Sequence, residues 1–375
     1  MRYIDVDGHV EECPETFSDR YLNPAFRAQR PRIIGVDGMA YWMIDEQLFP
    51  RRVGRGCNNL GTPTRYEGKP ALHTLGKPES IESMELADIK ARLRIMDEEG
   101  ISIQIIYPTL FLAYPLCSNP ALVTALCNSY NRWLGDLLSG NERLKWAAVV
   151  NLDDIPGSVS AVREAKRLGA VAVMVLGTAG DNLLDHPSLA PFYEAAAQEN
   201  LALAVHVGWA CPALNNLFTH IYPSGVIAFH VPLLIAFTAL VSGGILDRYP
   251  NLRVAFLEAG CMWVPFMVER LTHRFENQGK SLARFLPQAA PVEALPPINY
   301  VKRGNLYFSA EVEDFLLPQV LELVGEGQIV LGSDMPHGDR ERFVARVLEE
   351  RRDLSESAKE SILERNPARL YGLRG

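Results

Sequence analysis

The sequence predicts an α/β fold, a (β/α)8 barrel with insertions at its C-terminal face. Two observations carry this expectation. Eight short runs of apolar, often β-branched residues recur along the chain, and amphipathic helical patterns separate them. Near-continuous apolar strands alternating with helices describe a parallel sheet covered on both faces. An open doubly wound sheet is the competing architecture. It normally carries a Gly-rich phosphate loop after its first strand, and no such loop occurs here.

The elements follow in order. Tyr3–Val6, in YIDVDGHV, is the first strand. The Pro- and Gly-rich stretch from about 30 to 78 (RPRIIGVDG, GTPTRYEGKP, LGKPES) reads as an insertion after it. The helical pattern SMELADIKARLRIMDEEG leads to the second strand, ISIQIIYP from Ile101. NPALVTALCNSYNRWLGDLL precedes KWAAVVNL from Lys145, and SVSAVREAKRLG precedes AVAVMVLG from Ala170. HPSLAPFYEAAAQEN then leads to LALAVHVG from Leu201. LRVAFLEAG from Leu252, NLYFSAE from Asn305 and QIVLGSD from Gln328 complete the eight. Several helical patterns end in Gly or Asn, as helix C-termini favour. A second insertion, at about 286–300 (PQAAPVEALPPINY), precedes strand seven. Both insertions are expected near the active face of a single domain spanning 1–375.

Composition narrows the class. A chain of 375 residues suits one α/β barrel, and 48% hydrophobic with 22% charged residues is ordinary for a globular core. The net charge of −8 without a basic stripe argues against nucleic-acid binding. The longest apolar stretch, Val226 to Leu246, is broken by His230, Pro232, Ser242 and Gly243. It is expected to be a buried helix, not a membrane span. No charged-then-apolar leader precedes the first strand, so a cytoplasmic location is expected. The six cysteines lie far apart without a CxxC pair, which suggests reduced, packed thiols and no zinc finger. The expected partners are a small-molecule substrate and a second copy of the chain in a homodimer.

Barrel enzymes collect their chemistry at the C-terminal ends of the strands. Here strand one ends with Asp7 and His9, strand five with His206, strand six with Glu258, strand seven with Glu311 and strand eight with Asp334. Two imidazoles and four carboxylates on one mouth predict a metal site. Asp7 and His9 are two apart, so a strand directs them to the same side. Clustered carboxylates repel one another and raise their own pKa values. A divalent cation removes that penalty and activates water. A donor set with more carboxylate than imidazole and no thiolate favours iron or manganese at least as readily as zinc, with one or two ions per chain.

Glu258, Asp334 and His337 are the candidate catalytic residues, and Trp209 and His230 the candidate substrate-binding ones. His337 follows Asp334 by three residues, in reach of substrate or of a ligand. Trp209 follows His206 past a strand end, as a pocket wall would. His230 suits a satisfied core position or the pocket lining equally. His73, His186, His220 and His273 give no signal above surface or packing roles. No GxSxG elbow supports serine chemistry.

These residues carry a family resemblance. DVDGHV, AVHVG, SGGILDRYPNLRVAFLEAG followed by PFMVERL, LGSDMPHGD and the closing ERNPARLYGL resemble the amidohydrolase superfamily. The similar branch is the one that includes amino-carboxymuconate-semialdehyde decarboxylase and the aromatic-acid decarboxylases. The resemblance covers most of the chain and implies metal ligation by Asp7, His9, His206 and Asp334. It departs on strand six, where those decarboxylases have a histidine and this chain has Glu258. That departure points first to a metal-dependent hydrolase of an ester, thioester or amide carbonyl, with Glu258 as base or as ligand to a second ion beside Glu311. Non-oxidative decarboxylation of an aromatic or unsaturated carboxylic acid is the alternative. A non-catalytic scaffold is disfavoured, because a carboxylate-rich mouth is costly to keep without a use. The aromatic and aliphatic residues of AYWMIDEQLFP suggest a fairly apolar substrate.

Overall fold

Every one of the eight apolar runs forms a strand. The computed structural model describes residues 1–286, 292–338 and 340–373. Its barrel strands are β1 (Tyr3–Val10), β2 (Ile101–Pro108), β3 (Leu144–Val149) and β4 (Ala172–Val175), then β5 (Ala202–His206), β6 (Val254–Leu257), β7 (Leu306–Ala310) and β8 (Ile329–Leu331). Each pairs in parallel with the next in chain order. Just past β8 the chain returns to β1: His9 N donates to Met335 O at 2.6 Å and Asp334 N donates to Asp7 O at 2.7 Å. This closes the ring directly beneath the expected ligands.

Two glycines permit the closure. A Cβ on Gly332 would stand 2.3 Å from Asp7 Cβ, and one on Gly8 would stand 2.5 Å from Gln104 Cγ. No larger residue fits at Gly332 unless Asp7 shifts, or at Gly8 unless the buried Gln104 side chain gives way.

Helices α1 (Ile89–Glu98), α2 (Pro120–Leu137), α3 (Ile155–Arg167), α4 (Ala190–Gln198), α5 (Val231–Ser242), α6 (Val264–Arg274) and α7 (Leu317–Val324) clothe the strands. The side chains of Asp88, Asn119 and Asp154 accept backbone N–H groups at the starts of α1, α2 and α3, which satisfies donors that a helix start leaves open. Phe256 of β6 and Phe308 of β7 stack at 5.7 Å, and Phe237 of α5 meets Phe256 edge-on at 5.5 Å. All six cysteines are free thiols, as expected.

Three expectations are refined. The stretch Val226 to Leu246 is not one buried helix: a short helix over Ile221–Ile227 ends before α5 begins at Val231. Ile221–Ser242 as a whole has the length and apolarity of a membrane span, and α5 buries Leu233, Phe237 and Leu240. The 30–78 insertion contains an antiparallel sheet of Arg32–Val36, Met39–Ile44 and Gln47–Phe49. Its first turn is Asp37-Gly38, both with positive φ, a hairpin signal present in the sequence. The second insertion is corrected. Ala294 N and the Tyr300 hydroxyl bond Asp247 Oδ2 at 2.9 and 2.5 Å, in the connection that enters β6. The described part of 286–300 therefore lies at the end of β6 opposite Glu258, away from the active face, and 287–291 lie outside the described residues.

Candidate metal centre and substrate cavity

Alternation along β1 directs Asp7 and His9 to the same side. Asp7 Oδ1 lies 3.2 Å from His9 Nε2 and 3.1 Å from Nε2 of His206, the last residue of β5. Glu258, immediately after β6, brings Oε2 to 3.4 Å from His206 Nε2 and 3.8 Å from His9 Nε2. Asp334, past β8, stands 3.4 Å from His9 Nε2 and 2.6 Å from His337 Nδ1. Among the described residues this makes two overlapping groups, Asp7–His9–His206–Glu258 and His9–Glu258–Asp334–His337. Within each, the donor atoms lie within 4.8 Å of one another.

The imidazole tautomers decide what fits here. Nδ1 of His9 faces Pro108 O at 3.0 Å, and Nδ1 of His206 faces Val207 O at 3.0 Å. A carbonyl can only accept, so each Nδ1 carries the hydrogen and each Nε2 turns a lone pair toward carboxylate oxygens. Lone pairs opposed to anionic oxygens call for a cation or a proton between them. The titration follows the same logic. Burial alone would raise the Asp7 carboxyl, but His206 and His9 outweigh it and hold the group well below the usual carboxylate range. Burial alone would lower His206, and the Asp7 charge and hydrogen bond outweigh it and raise the imidazole. His9 is lowered, by burial first and then by the charge of His337, so its Nε2 keeps a lone pair to donate. Two oriented imidazoles with carboxylate oxygens and no thiolate suit a divalent ion. The residues fit the group.

Backbone strain marks two of the donors. Glu258 and Asp334 have φ of 61° and 53°, a left-handed conformation that costs a non-glycine residue about 1 kcal/mol or more. Each occurs just past a strand end, where the sharp reversal lets the carboxylate join the cluster.

Glu311 belongs to neither group. It follows β7, with its main-chain N bonded to Asp314 Oδ2 at 3.1 Å. Although the residue reaches solvent, surrounding protein and then the charges of Asp7, Asp314 and Asp334 push its carboxyl up to about 8. A carboxyl that resists ionisation is a poorer ligand than one held ionised, as Asp7 is.

A cavity of about 550 Å³ adjoins the cluster, with Glu258 and His337 in its lining. Trp209 and His230 line it too. Trp209 Nε1 donates to Ser224 Oγ at 2.8 Å and its ring packs 4.5 Å from Phe229. His230 Nδ1 faces Gly225 O at 2.8 Å, which orients the ring. His337 Nε2 meets Thr109 Oγ1 at 3.1 Å, and its ring lies 4.2 Å from that of His9. From the 30–78 insertion, Thr62, His73 and Lys77 reach the same cavity. His73 and Lys77 were invisible as site residues, because nothing local in the sequence tells where an insertion folds back.

A second layer was also missed. Asp5 is fully buried and accepts from Ser333 N at 2.8 Å, Ser333 Oγ at 2.6 Å and Gln104 Nε2 at 2.7 Å. It ties β1 to β2 and β8, and its place in the alternation Asp5, Asp7, His9 was the available signal. Arg92 of α1, also fully buried, donates to His9 O and, at 3.4 Å, to Met335 O. It clamps the ends of β1 and β8 that carry the candidate ligands. Arg92→Met is expected to cost about 2 kcal/mol of stability by removing the guanidinium donor from the His9 carbonyl, while Met335 O keeps the His9 N–H. It is also expected to weaken metal binding about 10- to 100-fold, as loss of an outer-shell partner does. Denaturation and competitive metal titration measure the two effects. Wild-type metal affinity in the variant would refute the positioning role.

Comparison with known proteins agrees with this geometry. A family model described as amidohydrolase matches residues 88–373. The chain is 24% identical over 293 residues to a 2-amino-3-carboxymuconate-6-semialdehyde decarboxylase of Dictyostelium discoideum, covering 76% of this chain and 77% of that protein. Among solved structures it resembles an amidohydrolase of Mycobacterium avium subsp. paratuberculosis K-10 (TM-score 0.78, 21% identity, covering 100% of this chain and 98% of that one). It also resembles a 5-carboxyvanillate decarboxylase of Novosphingobium aromaticivorans, solved with bound manganese (TM-score 0.66, 18% identity, covering 78% and 83%).

Proposed function

The chain belongs to the amidohydrolase family, and from that premise we propose that it is a metal-dependent, non-oxidative decarboxylase of an aromatic or unsaturated carboxylic acid. The observation that carries this reading is the double membership of Glu258 and His337, which stand in the ligand cluster and in the lining of the cavity. Groups placed so can exchange protons with a bound acid. The likeness to decarboxylases in sequence supports the same reading.

Asp7, His9, His206 and Asp334, with Glu258 alongside, would hold one divalent cation per chain. His9 has one Nε2 lone pair and cannot serve both overlapping groups at once. That cation would supply positive charge to orient a substrate carboxylate and its neighbouring oxygen. The protein's own groups do the rest. Trp209 and Phe229 offer flat apolar faces to a ring. Decarboxylation breaks the bond between ring and carboxyl carbon, and the electron pair stays on the ring carbon, which must then take a proton. Glu258 is the group we assign to carry it: its carboxylate takes a proton from solvent in the cavity, passes it to the ring carbon as CO2 leaves, and returns to the carboxylate form. His337, held by Asp334 and Thr109, orients the acid.

A second reading, hydrolysis, rests on one specific observation: the group at the end of β6 is a carboxylate, able to take a proton from water as a general base. The two reactions differ in their products. Protein reconstituted with Mn²⁺ and given a panel of hydroxybenzoic and unsaturated acids in D2O is expected to release CO2 and leave one deuterium at the vacated carbon. Ester or amide turnover with no CO2 from any acid would overturn decarboxylation in favour of hydrolysis.

A further inference from the structure

We propose that Lys77 is a specificity-determining residue that binds a second anionic substituent on the substrate, so that the preferred substrates are acids carrying a further carboxylate or phenolate. This rests on the reading of the cavity as the site of a carboxylic acid. Among the described residues, Lys77 is the one lysine or arginine in the cavity lining. Its Nζ donates to Pro336 O at 2.9 Å, next in sequence to His337. An ammonium has three donors, and a single main-chain carbonyl leaves two for a ligand.

The placement is reinforced from both sides. Lys77 Cε passes close over Gly338, where a Cβ would stand 3.7 Å from it, so the stem is laid against the loop that carries Asp334 and His337. His73, from the same insertion, also lines the cavity. Burial, then the charges of Lys77 and Arg52, lowers its imidazole to about 4, so it is a neutral partner at pH 7 and Lys77 supplies the charge. A cavity with a cation-binding cluster and an ammonium among its walls offers two anion-recognition points, and the Glu11 carboxyl that shares the lining is raised by burial against the opposing charges of His337 and Lys77.

Equilibrium binding tests this without turnover. Wild-type protein loaded with Mn²⁺ is titrated calorimetrically with isophthalate and with benzoate, and the titrations are repeated on Lys77→Met and Lys77→Arg. The wild type is expected to favour isophthalate by about tenfold or more, the worth of one charge-assisted hydrogen bond. Lys77→Met, which keeps the apolar stem, is expected to erase that margin while changing benzoate affinity by no more than about twofold, and Lys77→Arg to restore most of it. Equal losses for both ligands, or no wild-type preference, would overturn the proposal. If the margin depends on Lys77 but no acid releases CO2, the reaction assignment fails and the recognition assignment stands.

Discussion

Asp7→Asn is expected to strip the chain of tightly held metal and to lower turnover on the order of 10³-fold, the scale of losing a preorganised electrostatic stabiliser. Asp7 Oδ1 is within 3.2 Å of both imidazole Nε2 atoms, so it is the oxygen the two lone pairs share. An amide keeps the shape and removes the charge. The folded chain should survive, because asparagine keeps the volume and an accepting oxygen at this buried position, although losing the charge that His206 and His9 stabilise is expected to lower the melting temperature of the metal-free variant. Elemental analysis after dialysis against chelator gives the metal content, and thermal melts of the metal-free proteins check the fold. A variant that holds one equivalent of metal and turns over normally would remove Asp7 from the centre. Iron or manganese is expected to restore the metal-free wild type at least as well as zinc, given this oxygen-rich set.

Glu258→Gln should behave differently. It is expected to lower turnover about 10²- to 10⁴-fold, the range for loss of a positioned acid or base. It should leave metal loading near one ion per chain, since Asp7, His9, His206 and Asp334 remain. Glutamine meets the same backbone demand at φ 61°, so the strain is unchanged and the fold is not a confounder. A solvent-deuterium readout separates the roles. If Glu258 delivers the proton, the variant loses deuterium incorporation in step with turnover. If the wild type holds two ions per chain and the variant one, a two-ion centre is present and Glu258 serves the second ion.

Much of this centre is legible in the sequence. The eight apolar runs had to be parallel strands, and parallel strands in a barrel must bring their C-terminal ends together. Asp7, His9, His206, Glu258 and Asp334 therefore converge whatever the loops do. Alternation on β1 put Asp7 and His9 on one side for the same local reason.

The expectation of hydrolysis rests on Glu258, with Glu311 beside it as a further oxygen ligand. A single proton-carrying group defines how a proton moves and leaves open which bond breaks, so the shape and charge of the whole cavity weigh more. That cavity depends on distant segments. Lys77 and His73 arrive from an insertion whose fold-back follows contacts made more than 200 residues away in sequence, such as Lys77 to Pro336. The 286–300 stretch resembled a mouth loop and fastened to Asp247.

What the sequence by itself determined is the barrel, its order and the chemical identity of the donors, because strand period and strand polarity are local properties. The tertiary structure alone decided three further things. The Pro108 and Val207 carbonyls select the tautomers of His9 and His206, the turns after β6 and β8 carry the left-handed strain, and Arg92 clamps the two strands. Each depends on which backbone atoms from remote segments come within hydrogen-bond distance. That distance is set by packing, which no local pattern encodes.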